Sequence, residues 1–380
     1  MQQAHQQHLI PNEPNYFVAQ QFDRLLNFCC EHKASDITMQ TGEVVFAEIH
    51  GRQERITQRR LTLQELSDII KHVYGPNATA MIFAGSDIDT HYRVKVNKEL
   101  EYRFRVNITA CYFEGYQGMQ MTLRVISSEP PKLADLGIEE NLEKYLKIPQ
   151  GIMVVSGATG SGKSTLLASI LADLCSEPDA SLKVLTYEAP IEYVYDRVDM
   201  PTSIVSQMEI PRNLESFASG VRNALRRKPG LILVGEARDQ ETIEAVIEAS
   251  LTGHPVYTTV HSNGVADTLR RMVTIFPYEE RDARMFDLLE TIKIIIWQAL
   301  VPRPDGKRTA LREYLVFTNE VRDALLSTRQ EHLVSKVREL LPQYGQSLFQ
   351  DVEKKYKANL ITEEAYRRFH LMEESINGKS

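Results

Sequence analysis

No apolar run in the chain is long enough to cross a bilayer. The longest, around residues 292–301, is interrupted by Lys293 and Gln298, and a spanning helix needs about 20 largely apolar residues. No transmembrane helix is therefore expected. The opening MQQAHQQHLIPNEPN has no basic head, apolar middle or small-residue cleavage site, so it does not read as a secretory signal. Residues 1–13 are expected to be a disordered lead. Cysteine is scarce, with only 4 in the chain. Cys29 and Cys30 are adjacent while Cys111 and Cys175 stand alone, a spacing that offers neither a CxxC metal site nor a disulfide framework. They read as small hydrophobes in a reducing cytoplasm. Positive charge is not in excess either: 44 Lys and Arg against 51 Asp and Glu leave a net charge of -7. That balance argues against dependence on nucleic-acid phosphates, although a local basic face stays open. The one tryptophan, Trp297 in IKIIIWQAL, is expected in the core. No internal repeat is apparent.

The 380 residues are enough for two or three domains. From residue 14 to about 126 the pattern is α+β. Helical periodicity in NYFVAQQFDRLLNFCCEH and LTLQELSDIIKHVYG alternates with the strand-like runs DITMQ, EVVFAEIHG, DTHYRVKV, LEYRFRVNITA and MQMTLRVI, which predicts an antiparallel sheet with helices packed on it. SSEPPKLADLG, residues 127–137, breaks both periods with paired prolines and marks a linker, 127–138. Beyond it, over 139–380, apolar strands alternate with helices: GIMVVSG, KVLTYE, LILVG and PVYTTV are each followed by a turn or helix. This predicts an α/β domain whose parallel sheet is covered by helices. From about residue 278 the chain is expected to be mostly helical, apart from an extended run near 312–317. The amphipathic tail after residue 328 fits either a partner protein or its own domain.

GATGSGKST, residues 157–165, fits the phosphate-binding pattern GxxxxGK[ST] and lies between the strand IMVVS and the helix STLLASILADL, the context that pattern requires. Gly157, Ala158, Thr159, Gly160, Ser161 and Gly162 offer backbone N–H groups to a phosphate. Lys163 reaches the β and γ oxygens, Ser164 offers a hydroxyl to Mg²⁺, and Thr165 continues the helix N-terminus that adds positive potential. ATP and Mg²⁺ are the ligands this predicts. LILVGEARD supplies an apolar strand ending in Glu236, an acid able to hold the metal through water, while Asp239 reads as the cap of the next helix. In EAPIEYVY, Glu188 ends the strand KVLTYE and Glu192 follows it. That strand is expected to return beside the P-loop strand, where a carboxylate could orient or deprotonate water. On spacing alone they read equally well as solvated turn residues. VYTTVHSN puts His261 at a strand end, where an imidazole could sense a γ-phosphate; His254, at the strand's start, faces away.

Taken in order, GATGSGKST, EAPIEYVY, LILVGEARDQET and ASLTGHPVYTTVHSNGVADTLRRM resemble the Walker A, Asp box, Walker B and His box of the secretion ATPases of type II, type IV pilus and type IV secretion systems. The likeness runs from about residue 34 to about 325, is strongest to the PilT-like branch, and within it points to the ATPases of type IVB Dot/Icm systems. The resemblance implies an N-terminal PAS-like domain and a C-terminal RecA-like domain sandwiching the nucleotide, six subunits closing into a homohexamer, and a cytoplasmic protein held peripherally at the inner membrane by secretion-complex proteins. It implies ATP hydrolysis coupled to mechanical work on secretion. Carried over by position, Lys163 and Ser164 bind phosphates and magnesium, Glu236 is the Walker B acid, Glu192 is the catalytic glutamate and Glu188 supports it. The family also brings N-terminal arginines to the γ-phosphate, for which RFRVN and TLRVI offer Arg103, Arg105 and Arg124; by pattern alone they are alternating charges on a solvated strand face. The chain departs from the family at Ala189, where relatives usually carry aspartate, and at the basic RRKPG, residues 226–230, where relatives are commonly acidic. It also lacks the four-cysteine zinc module of some type II relatives. A pilus retraction motor, a RecA-like nucleic-acid motor and a non-hydrolysing assembly scaffold are the alternatives.

Overall fold

The computed structural model describes residues 8–97, 100–126 and 129–376, with side chains to residue 371. Residues 1–7 of the expected lead and Ser127 and Ser128 of the expected linker lie outside the described residues. The chain divides into two compact units, Met1–Ser128 with Pro190–Val194, and Glu129–Ala189 with Tyr195–Ser380. The inclusion of Pro190–Val194 in the first unit is not visible in the sequence.

In the N-terminal unit, β1 (Ala34–Gln40), β2 (Phe46–Ile49), β3 (Arg52–Arg55), β4 (Ile88–Lys95), β5 (Glu101–Phe113) and β6 (Tyr116–Ile126) form one sheet in the order β3-β2-β1-β6-β5-β4. Every pairing is antiparallel. The two-residue period sorts its faces. Phe104, Val106 and Ile108 of β5 are buried in one core with Phe22 and Leu26 of α1 (Ala19–Glu31) and Leu66 and Ile70 of α2 (Leu63–Tyr74). Arg103 and Arg105 take the opposite face. A short α3 (Ala78–Phe83) completes the unit.

Residues 8–13, expected as part of a disordered lead, are instead packed. Ile10 is buried and its N–H donates to Ile56 O at 2.9 Å. The Glu13 carboxylate accepts from the N–H of Gln58 at 2.7 Å. The glutamine-rich composition before residue 8 hides these two anchors, one apolar and one acceptor.

In the C-terminal unit the strands are β7 (Gly151–Ser156), β8 (Lys183–Glu188), β9 (Ile204–Glu209), β10 (Leu231–Val234), β11 (Pro255–Val260), β12 (Ile292–Pro302), β13 (Arg308–Val316) and β14 (Gly345–Gln346). They run in the order β14-β13-β12-β7-β11-β10-β8-β9. From β12 to β9 neighbours are parallel, while β13 and β14 add antiparallel. The expected parallel sheet is thus present, and two antiparallel strands extend it at the β12 side. β7, β10 and β11 are buried along their whole length, the signature of strands covered on both faces.

Two further expectations are corrected. Residues 292–302, read as helical, are the long strand β12. Its run of β-branched isoleucines suits a covered strand, and Pro304, Asp305 and Gly306 make the turn to β13. Trp297 on it is only half-buried against the core, its indole N–H donating to Ser262 O at 3.1 Å. Strand β8 does not neighbour β7: β11 and β10 intervene, because the helical crossovers carry the chain past those positions before they are filled.

Helices α4 (Glu140–Glu143), α5 (Lys163–Ser176), α6 (Phe217–Ala224), α7 (Gln240–Leu251), α8 (Val265–Thr274) and α9 (Arg281–Thr291) accompany the sheet. α7 starts where Asp239 accepts from Thr242 N–H at 2.9 Å, a side-chain cap worth about 1 kcal/mol. The tail forms α10 (Asn319–Leu326), α11 (Leu333–Tyr344), α12 (Leu348–Lys357) and α13 (Glu363–Ile376). It packs on its own unit: Val321, Val337 and Leu340 join the main core, and Val352, Ile361 and Phe369 cover Val301 and Leu311.

Candidate active site

The loop 157–162 leaves the buried end of β7 and enters α5 at Lys163. Its backbone needs glycine at two points. Gly157 has φ 144°, and a Cβ there would meet Gln298 O at 2.3 Å. Gly162 caps α5 in the left-handed region at φ 84°, a conformation any Cβ would strain. The loop is followed by the helix's unpaired first N–H groups, a ready anion site. Lys163 is 7% exposed and its ammonium donates to the carbonyls of Gly157 at 3.0 Å and Ala158 at 2.9 Å. The Ser161 hydroxyl is buried with no hydrogen-bond partner among the described residues, an uncommon state for a buried polar atom. Glycine backbone, a folded-in ammonium and an orphaned hydroxyl are a donor set suited to phosphate oxygens.

The strand ends beside the loop converge. Thr268 on α8 donates to Ser156 Oγ, the last residue of β7, at 2.8 Å. Thr259 on β11 donates to Gly235 O at 2.6 Å, and Ala237 N–H donates to Thr259 O at 2.9 Å. These bonds place Glu236, after β10, next to His261, after β11, with Nε2 3.6 Å from Oε1. Both side chains are partly exposed. Burial, then the neighbouring Lys163 charge, lower the His261 pKa; the Glu236 carboxylate and the Gly157 backbone pull the other way and do not prevail. The imidazole is therefore neutral at neutral pH and able to donate through one nitrogen and accept through the other. Arg238 lies 3.9 Å from the second Glu236 oxygen.

Glu188, at the end of β8, is held in place rather than left in solvent: its Oε1 accepts from Thr186 Oγ1 at 2.6 Å and from Gln207 Nε2 at 3.0 Å. The Gly235 N–H donates to Tyr187 O at 2.7 Å. A Cβ on Gly235 would press the Glu188 backbone at 3.2 Å, so this glycine lets the β8 and β10 ends close up. Lys163, Ser164, Glu188, Glu236 and His261 thus share one edge of the C-terminal unit's sheet, the carboxyl ends of its parallel strands, where ligands of such sheets bind.

Glu192 and the three arginines form a second group, inside the N-terminal unit. Arg103 is 2% exposed and its guanidinium donates to Ile191 O at 2.9 Å and Glu192 O at 2.8 Å. Arg105 and Arg124 face each other across β5 and β6. Each is matched by a carboxylate, Arg105 to Asp89 at 2.6 Å and Arg124 to Asp36 at 2.8 Å, which relieves the like-charge pair. The Asp89 hydrogen bond holds the Arg105 pKa above its usual value.

Sequence reasoning passed over two buried residues beneath the loop, Gln298 and Arg312. The available signal was a single amide inside the otherwise apolar IIIWQAL. A lone polar side chain in a covered strand must have a partner.

Against known proteins, the family described as Type II/IV secretion system protein matches residues 12–340. The chain is 31% identical to the type IV pilus retraction ATPase PilT of Pseudomonas aeruginosa over 83% of this chain and 88% of that protein. Among solved structures it is similar to the ATPase DotB of Legionella pneumophila, with 52% identity, TM-score 0.90, and coverage of 96% of this chain and 99% of that one. It is also similar to the pilus retraction motor PilT with bound ADP, at 30% identity and TM-score 0.77, covering 90% of this chain and 95% of that one.

Proposed function

The chain belongs to the Type II/IV secretion system protein family, and we propose that it is an ATPase powering a type IV secretion system of the type IVB Dot/Icm kind. One observation carries the reading beyond the family: 52% identity and a TM-score of 0.90 to DotB over 96% of the chain. On this reading the C-terminal unit is RecA-like, the N-terminal unit PAS-like, and the working form a homohexamer attached to inner-membrane secretion proteins from the cytoplasmic side.

The chemistry follows from the residues. Lys163 exchanges the Gly157 and Ala158 carbonyls for phosphate oxygens of ATP, a swap that keeps its charge-assisted bonds satisfied. Ser164 and, through water, Glu236 would hold Mg²⁺, which when bound supplies positive charge to the β and γ oxygens. Neutral His261, which lies beside Glu236, reports on the γ-phosphate. Glu192 orients or deprotonates the attacking water, with Arg103 fixing its backbone through the Ile191 and Glu192 carbonyls. Glu188 is anchored by Thr186 and Gln207 and supports the site electrostatically. Arg105 and Arg124, the more exposed pair, provide positive charge for the γ-phosphate, where it is worth far more than on a surface.

Glu192→Gln tests both halves. The purified variant should bind ATP with wild-type affinity and release phosphate at least about 100-fold more slowly, the size usual for a lost general base. In the host it should stop translocation of a secreted reporter while leaving twitching motility intact. Wild-type turnover in the variant would remove Glu192 from the chemistry. Loss of twitching with secretion intact would favour the second reading, a pilus retraction motor, which the PilT likeness supports.

A further inference from the structure

Gln298 sits one residue beyond the position on β12 that pairs with the end of β7, since Trp297 is registered with Ser156. It is 3% exposed and touches the phosphate loop in two ways. Its amide Nε2 donates to Ser161 O at 2.7 Å, and its backbone oxygen lies where a side chain on Gly157 would have to go. A trans peptide places C=O and the next N–H antiparallel. Holding the Ser161 carbonyl down on β12 therefore turns the Gly162 N–H the opposite way, away from the sheet.

The amide is itself held. Arg312, its direct partner across β12 and β13, is 1% exposed and donates through Nε to Gln298 Oε1 at 2.9 Å. This donor fixes which end of the amide is oxygen, because the reverse orientation would set N–H against N–H. The rest of the guanidinium is committed elsewhere. Nη1 donates to Gly137 O at 2.9 Å and Nη2 to Leu136 O at 2.9 Å, and Nη1 lies 3.3 Å from Glu139 Oε2. Lys355 on α12 joins Glu139 to Asp351 with 2.7 Å bonds to each, and Asp351 accepts from Arg312 N–H at 2.8 Å. Two cations and two carboxylates close a neutral buried cluster under the loop.

We propose that Arg312, acting through Gln298, is a positioning residue for nucleotide binding: it locks the Ser161–Gly162 peptide so that the loop presents its N–H groups to phosphate, and it ties that peptide to the 136–139 segment. A lysine could not substitute, because the planar fork meets three acceptors at once and an ammonium is a single point. The proposal rests on the ATPase reading above.

Three variants test it on the full-length protein: Gln298→Glu, Arg312→Lys and the two combined. Gln298→Glu keeps an acceptor for Arg312 Nε but cannot donate to Ser161 O. Its Kd for fluorescent ADP and its KM for ATP should rise about tenfold, roughly the effect of one hydrogen bond lost and a carbonyl facing a carboxylate. Its kcat should stay within about twofold and its nucleotide-free Tm within a few degrees. Arg312→Lys should shift KM in the same direction. The double variant should be no worse than the worse single, since both act on one peptide. A purely architectural role would lower Tm and apparent kcat and leave Kd and KM unmoved. Unchanged ADP affinity in folded Gln298→Glu, or effects of the two changes that multiply, would overturn the proposal while leaving the ATPase reading standing. Should Arg312→Lys fail to fold, Gln298→Glu alone decides. Folded wild-type protein that binds no ADP would instead defeat the nucleotide reading, and this proposal with it.

Discussion

Lys163 and Arg312 are both buried cations of the C-terminal unit, 7% and 1% exposed, and both spend their donors on carbonyl oxygens. They differ in where those oxygens come from. Lys163 donates to carbonyls of residues 5 and 6 positions earlier in the chain. Arg312 takes its acceptors from Gln298, 14 residues away, and from Gly137 and Leu136, 175 and 176 residues away. A point charge on a flexible stem that donates to its own loop can exchange those carbonyls for a ligand. A planar fork filled from two separate segments, β12 and residues 136–139, cannot move without unmaking the local fold. One site is built for exchange and the other for permanence.

The sharpest way to break this contrast is to remove each cation in turn. Arg312→Ala leaves the Glu139 carboxylate, the Gln298 amide and two carbonyls short of a donor. The cost expected for breaking a buried charged cluster is about 3–5 kcal/mol, read as a Tm lower by on the order of 10 °C. Lys163→Ala should spare stability instead, weakening ATP binding at least about 100-fold, by roughly 3 kcal/mol, with Tm within a few degrees of wild type. A large Tm loss in Lys163→Ala, or none in Arg312→Ala, would erase the distinction.

A smaller effect comes from His261, whose charge is suppressed by burial and by Lys163. Its folded pKa lies below the ordinary value near 6.5, so below that pH the unfolded chain binds the extra proton more readily. The group contributes nothing to the pH dependence above about pH 7.5. As pH falls through the ordinary histidine range, stability should drop, and denaturant melts of His261→Asn across pH 8 to 5 should show a shallower acid-side loss. An identical acid-side slope in the variant would mean that the ring titrates normally.

The same contrast explains what could be read in advance. The glycine-rich loop 157–162 is legible because its requirements are local: two glycines whose backbone tolerates no Cβ, a lysine that reaches back over its own turn, and a covered strand and a helix on either side. Asp239 is legible for the same reason, since a cap meets an N–H three residues on. Strand order is another matter. Nothing in KVLTYE announces that β11 and β10 stand between β8 and β7, because parallel neighbours are chosen by crossovers of many residues. Residues 292–302 read as helix in the sequence and form a strand in the structure because an apolar run has the same appearance in a buried helix and a covered strand. The burial of Arg103, from a strand of alternating charges, depends on the distant carbonyls of Ile191 and Glu192.

By itself the sequence determined the two-part α+β and α/β organisation, the position of the glycine-rich loop between a covered strand and a helix, and the candidate acids and histidine at strand ends, since each rests on periodicity or on contacts spanning a few residues. The tertiary structure alone decided that His261 and Glu236 meet, that Pro190–Val194 belongs with the N-terminal unit, and that Gln298 and Arg312 lie beneath the loop. Those outcomes are set by which separate segments of the chain come together, where the closure cost and the packing gain belong to the whole fold and not to any stretch of it.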